Sequence, residues 1–136
     1  MKAITFLLAA FLFIHGLFLA PAKAEMNLPE GELHMPQKSF NFGVVPEGQP
    51  VEHVFILENA GTKKLEITSV RPDCCSSVSL SNGSLAPGEK SHLKVTLETH
   101  DKQGLFIQTV RVHTDSPKTP YDYVRLFGIV GKFPTP

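Results

Sequence analysis

The sequence predicts an all-β sandwich. Apolar residues recur with a period of two in several short runs between residues 39 and 131. Those runs are separated by turn signals built from Pro, Gly, Asn and Ser, and no stretch beyond the N-terminal apolar run has a helical period. Short alternating strands at regular spacing, punctuated in this way, are the pattern of two packed β-layers.

Residues 1–24 stand outside that pattern. Lys2 opens the chain, an apolar run follows from Ala3 to Ala20, and Ala22-Lys23-Ala24 precedes Glu25. A positive start, an apolar middle and small residues two apart predict a secretory signal peptide cut after Ala24. The apolar run also has the length of a membrane anchor, since a span takes about 17–25 residues. The Ala-x-Ala boundary and the polar sequence after it favour cleavage, which predicts a periplasmic or secreted protein with no membrane span. No cysteine follows the run, so a lipidated N-terminal cysteine is excluded.

The remaining 112 residues have the length of one domain, with room for a single small core. The whole chain balances 13 basic against 13 acidic side chains, and removing Lys2 and Lys23 leaves 11 against 13. That balance excludes a strongly basic nucleic-acid binder.

Residues 25–38 contain Pro29, Gly31 and Pro36 with no sustained period and read as an extended leader. Met26, His34 and Met35 in it are of types that suit copper, but scattered residues in a leader are ordinary. The domain proper is expected over 39–132, with 133–136 as a tail. Phe40 and Phe42 open the first strand, which Gly43 interrupts before Val44-Val45 and the turn Pro46-Glu47-Gly48. Val51 to Asn59 sets His53, Phe55 and Leu57 on one face and Val54 and Ile56 on the other, as in a central, covered strand. Asn59-Ala60-Gly61-Thr62 reads as a turn whose Asn and Gly tolerate positive φ. Leu65, Ile67 and Val70 form the next strand, and Pro72 stops it. After a turn-rich segment, Ser91 to Thr99 alternates with Leu93, Val95 and Leu97 inward. Gly104 to Thr114 sets Phe106, Val110 and Val112 opposite Arg111 and His113. A Pro-flanked loop from Ser116 to Pro120 leads to the last strand, Tyr121 to Gly131.

The segment Val70 to Glu89 holds both cysteines, adjacent at Cys74 and Cys75, and reads as the crossing between two parts of the sandwich. In an oxidising compartment three states are open to them. A vicinal disulfide would close a very small ring and add little loop entropy, while presenting a strained, reducible bond. Two thiolates can hold a soft metal, but a tetrahedral zinc site needs four ligands. His53, His92, His100 and His113 show no ligand spacing to the cysteines. The pair can also stay unoxidised or bridge two chains. Redox catalysis usually takes Cys-x-x-Cys at a helix start, which is absent here.

Nothing in the sequence has a catalytic signature: there is no nucleophile elbow, phosphate loop or paired-carboxylate motif. His53 reads as a partly packed strand residue, and His92 and His113 as solvated. Serines 76, 77, 79, 81 and 84 read as turn residues whose hydroxyls bond nearby backbone. Asn82-Gly83-Ser84 matches a glycosylation acceptor and equally a turn. No enzyme and no cofactor are expected.

The order of features resembles the bacterial family called domain of unknown function 1573. The residues that carry the likeness are Phe42-Gly43, Glu47-Gly48, His53, Phe55, Asn59, Leu65, Ile67, Val70, the cysteines, Pro87-Gly88-Glu89, Gly104, Phe106, Gly128 and Val130. The resemblance spans Ser39 to Lys132 and implies an exported, antiparallel immunoglobulin-like sandwich of about seven strands, without an established activity. It is also similar to the sandwich modules of the major sperm protein and of cilia-associated proteins, which implies a protein-binding part. Where the family carries Cys-Gly-Cys-Thr, this chain has Cys74-Cys75-Ser76-Ser77. The expectation is therefore a non-catalytic exported module that binds a protein or envelope partner. The alternative is a thiol/disulfide or soft-metal module centred on Cys74 and Cys75.

Overall fold

Each alternating run forms a strand. The computed structural model describes Ala20 and residues 29–132. Nine strands follow in order: β1 Leu33–His34, β2 Ser39–Pro46, β3 Val51–Asn59, β4 Leu65–Pro72, β5 Ser76–Leu80, β6 Ser84–Leu85, β7 Lys90–Leu97, β8 Gly104–Thr114 and β9 Tyr121–Gly131. Seven run five residues or longer, and β1 and β6 are two-residue bridges. The expected signal peptide (apart from Ala20) and the tail lie outside the described residues. Among the described residues no helix is long and apolar enough to cross a membrane.

The strands make two sheets, β1-β3-β7-β5 and β2-β9-β8-β4-β6. Their inner faces meet through Phe55 and Leu57 of β3, Leu93 and Val95 of β7, Val110 and Val112 of β8, and Val124 and Leu126 of β9. All are fully buried, and Leu65 and Leu85 join the same cluster. Burying each such side chain contributes about 1.5–3 kcal/mol relative to leaving it exposed.

Four expectations change, the first being that the turn-rich segment holds strands β5 and β6, so that Ser76, Ser77 and Ser79 are strand rather than turn residues. The pairing is antiparallel except between β2 and β9, which run parallel. The chain leaves β1 in one sheet and reaches the other through residues 35–38, so β2 enters that edge in the same direction as β9. The residues read as a leader belong to the sandwich from Glu30 onward. Leu33 and Met35 are 4% and 3% exposed in the core, and β1 pairs with the end of β3. Met35 is thus a packing residue, His34 points to solvent, and Met26 lies outside the described residues. Finally, β3 is not covered on both faces. Val54 and Ile56 are exposed, and β1 pairs only with Asn59 and Glu58, so no described strand borders the other side of Val51 to Leu57.

The turn after β3 forms as expected but for another reason. Neither Asn59 nor Gly61 has positive φ. A Cβ on Gly61 would lie 2.1 Å from the Glu30 carbonyl oxygen, so this glycine is required by the close passage of the leader. Asn59 is fully buried and works through its side chain. Its Oδ1 accepts from the N–H groups of Glu32 (3.1 Å) and Gly61 (3.0 Å), and its Nδ2 donates to the carbonyls of Lys63 (2.8 Å) and Leu85 (3.0 Å). One amide thereby ties the leader, the turn and β6 together.

Candidate functional site

Asp73 to Cys75 forms one of several crossings between the sheets, from β4 in one to β5 in the other, within the segment the sequence marks as a crossing. Both ends of this turn are fastened. The Asp73 N–H donates to the Thr109 carbonyl at 3.0 Å, and the Glu98 N–H donates to the Cys75 carbonyl at 2.9 Å. Cys75 takes a left-handed backbone, φ 58°, a region sparsely used by residues with a side chain. The two sulfurs are free thiols in hydrogen-bonding contact, 2.7 Å apart. Contact with Cys74 holds the Cys75 thiol below its ordinary value. Burial opposes that shift, and the Lys102 ammonium beside Cys75 reinforces it. The same contact pushes Cys74 up. Cys74 Sγ also lies 3.9 Å from Oε1 of Gln108, a side chain 1% exposed.

The other candidates separate. Among the described residues no three His, Cys, Asp or Glu side chains converge on a point that could hold a metal ion. His53 stacks on Phe40 with ring centroids 3.8 Å apart, and burial lowers its pKa, which fits a packed strand residue. His92 is exposed, while His113 is half-buried beside the Tyr121 ring. The serines do not all bond backbone: Ser84 donates to the Glu66 carboxylate, and Ser76 Oγ is buried without a partner. Asn82 folds as turn chemistry, with its Oδ1 accepting from the Ser84 N–H at 3.1 Å.

A second feature is a surface. The outward face of the five-stranded sheet can be read row by row from its register. Leu105 of β8 stands opposite Ile129 of β9, which pairs with Val44 of β2; Ile107 stands opposite Phe127. These rows are apolar and largely open, with Leu105 71% and Ile107 58% exposed. The adjoining rows set Thr109 opposite Arg125, then Arg71 of β4 beside Arg111 and Tyr123, then Ser69 beside His113 and Tyr121. Arg71, Arg111 and Arg125 are all the arginines of the chain, and Tyr121 and Tyr123 are both of its tyrosines. Acidic groups flank these rows: Asp73, whose N–H donates to the Thr109 carbonyl, and the Glu66–Asp115 pair beyond Ser69 and His113. Arg125 packs over the Tyr123 ring, 4.9 Å from its centroid.

The other sheet differs. On its outward face Glu52 of β3 pairs with Lys94 of β7 at 3.3 Å, and Glu58 stands opposite Lys90. Sequence reasoning placed Arg111 and His113 on one outward face but missed the rest of the patch. Its signal was Tyr121, Tyr123 and Arg125 at alternate positions of β9, beside Arg71 in β4 and Arg111 in β8.

The model of a family described as "Protein of unknown function (DUF1573)" matches residues 33–130. The chain belongs to that family. The matched range begins at β1, where the leader enters the core. No curated protein matches the DUF1573 chain. Among solved structures it is similar to a protein of unknown function from Porphyromonas gingivalis W83 (TM-score 0.64, 13% identity), covering 73% of this chain and 46% of that one. The ASH/PapD-like domain 7 of human CEP192 gives a TM-score of 0.62 at 17% identity, covering 88% of this chain and 99% of that one. The YadV chaperone gives 0.52 at 11% identity, over 76% and 54%. At these identities the likeness is one of fold. This DUF1573 protein is an immunoglobulin-like, PapD-like β-sandwich.

Proposed function

We propose that the protein is an exported, non-catalytic binding module that holds an acidic protein partner on the outward face of its five-stranded sheet. The observation that carries this reading is the gathering of every arginine and tyrosine in adjoining rows of one face, with the nearby Glu66 already tied to Lys64 and Ser84. Tyr, Phe and Arg are enriched and Lys, Asp and Glu depleted at protein interfaces, and Tyr and Arg recur as the residues that dominate binding energy. Guanidinium groups bind carboxylates through paired hydrogen bonds, so the arginine rows select acidic side chains, while Leu105, Ile107 and Ile129 offer apolar area beside them. Export rests on the N-terminal sequence.

A photo-crosslinking residue at Thr109, at the centre of the face, tests this reading against a control at Thr96 on the other sheet. The expected result is a protein crosslinked from Thr109 alone, whose purified form loses binding to the Arg111→Glu variant and regains it when its own acidic patch is reversed. Equal crosslinking from both positions, or binding indifferent to Arg111→Glu and Arg125→Glu, would reject it.

Recognition by strand addition is a second reading, favoured by the free side of β3 from Val51 to Leu57. Unpaired N–H and C=O groups there form a template for an added strand. In that case Val54→Lys, rather than Arg111→Glu, abolishes binding.

A further inference from the structure

Cys74 and Cys75 are neighbours in sequence, face each other, and differ in their surroundings. Cys74 is exposed and directed towards the buried Gln108 amide, while Cys75 is half-buried beside the Lys102 ammonium. The turn that carries them is fastened at Asp73 and at the Cys75 carbonyl, so the sulfurs meet on a fixed frame. No third ligand converges on them among the described residues, which disfavours a metal. From this geometry we propose that Cys74 and Cys75 form a reversible dithiol–disulfide couple, in which Cys75 attacks and Cys74 resolves, oxidised by a small or protein disulfide.

Reversibility follows from covalent geometry. No peptide bond among the described residues is cis, and consecutive Cα atoms across a trans peptide are about 3.8 Å apart. Ordinary disulfides span about 4.4–6.8 Å between Cα atoms. A bond between adjacent cysteines is therefore strained, and strained, exposed disulfides are the readily reduced ones. It also closes too short a loop to stabilise the fold appreciably.

The order of attack follows from the surroundings. Contact with Cys74, and then the Lys102 ammonium beside it, favour the Cys75 thiolate, and the thiolate is the nucleophile. The Cys75 thiol loses its proton to solvent, and the thiolate attacks one sulfur of the donor disulfide. That donor S–S bond breaks, a mixed disulfide forms on Cys75, and one donor sulfur leaves as thiolate. Cys74 then gives up its proton, attacks Cys75 Sγ, and expels the second donor sulfur. Both expelled thiolates take up protons. Two thiols are oxidised by two electrons in all, and one donor disulfide is reduced to two thiols.

The test uses the exported chain in glutathione buffers of varied ratio, read by intact mass and by mapping of alkylated peptides. The wild type is expected to lose two hydrogens without retaining glutathione, and to regain them when reduced glutathione is in excess. Cys74→Ser should keep one glutathione on Cys75. Cys75→Ser should react several-fold more slowly, and Lys102→Gln should slow the Cys74→Ser reaction several-fold. Equal rates for the two single-cysteine variants would overturn the assigned order. Stable double glutathionylation of the wild type would overturn the couple itself. Direct alkylation of wild-type Cys74 and Cys75 against pH gives the same ranking without substitution, with Cys75 reacting at the lower pH.

Discussion

Replacing Asn59 by alanine should be among the most destabilising single changes in the molecule. The substitution removes four hydrogen bonds at once and leaves the N–H groups of Glu32 and Gly61 and the carbonyls of Lys63 and Leu85 without their partner. The bond to Leu85 is buried and the other three are partly buried. A stranded buried group costs about 1–3 kcal/mol, and a bond whose partner can turn to water about 0.5–1 kcal/mol, which together give about 3–5 kcal/mol. For a domain of this size about 1 kcal/mol moves Tm by roughly 4–8 °C, so the expected fall is about 15–30 °C. The chain has no tryptophan, so far-UV circular dichroism in heat and urea is the suitable readout. Hydrogen exchange adds a local check: the amides of Glu32 and Gly61 should lose protection first. Asn59→Asp keeps both accepted bonds but faces two carbonyl oxygens with a carboxylate, and should not rescue. A loss below about 1 kcal/mol, the worth of one ordinary hydrogen bond, would refute the assignment of Asn59 as the joint between leader, turn and β6.

Further outcomes follow from other contacts. A Cβ on Gly128 would meet the Phe42 ring at 2.3 Å, so Gly128→Ala should cost about 1–3 kcal/mol by overpacking. Shortening Phe42 to Leu in the same chain should recover part of that loss, measurable in a double-mutant cycle of urea unfolding. Burial lowers the His53 pKa in the folded state below 6.5. The unfolded chain therefore binds the proton first, and the His53 contribution is complete above pH 6.5 and lost as pH falls through the folded value. Tm should drop more between about pH 7.5 and 5 in the wild type than in His53→Tyr, which cannot take up that proton. On the arginine face, Arg125→Glu should leave Tm nearly unchanged, since exposed substitutions usually stay within about 0.5 kcal/mol, while binding of the crosslinked partner falls and loses its dependence on salt.

The fold was legible where side chains alternate between oil and water. β7, β8 and β9 lie where their periods place them, because Leu93, Val95, Val110, Val112, Val124 and Leu126 have one buried face to choose. Serine at its outward positions gives β5 the composition of a turn, although Val78 and Leu80 keep the period of two. β1 was missed because two residues carry no period. Its place is decided by the Asn59 amide and by the contact of Gly61 with the leader, which are long-range facts invisible in a local window. β3 misled because apolar residues on both faces fit a covered strand and a strand with an open side equally well.

The candidate sites differ in the same way. The cysteine crossing could be placed from sequence because adjacency and turn signals are local. The arginine face could not, because a sum of charges hides their arrangement. Thirteen positive and thirteen negative side chains cancel over the chain, yet the two outward faces do not share the cancellation. β3 brings carboxylates and β7 ammonium groups to their outward face, where they offset one another, as Glu52 does with Lys94. Across β4, β8 and β9 none of the three guanidinium groups makes an ion pair among the described residues, although Glu66, Asp73 and Asp115 flank their rows. A neutral count therefore excludes a strongly basic nucleic-acid binder but says nothing against a partner that brings its own carboxylates. Such a partner would supply the ion-pair partners that these guanidinium groups do not find within the described chain, and its attraction should weaken with ionic strength as that of exposed charges does.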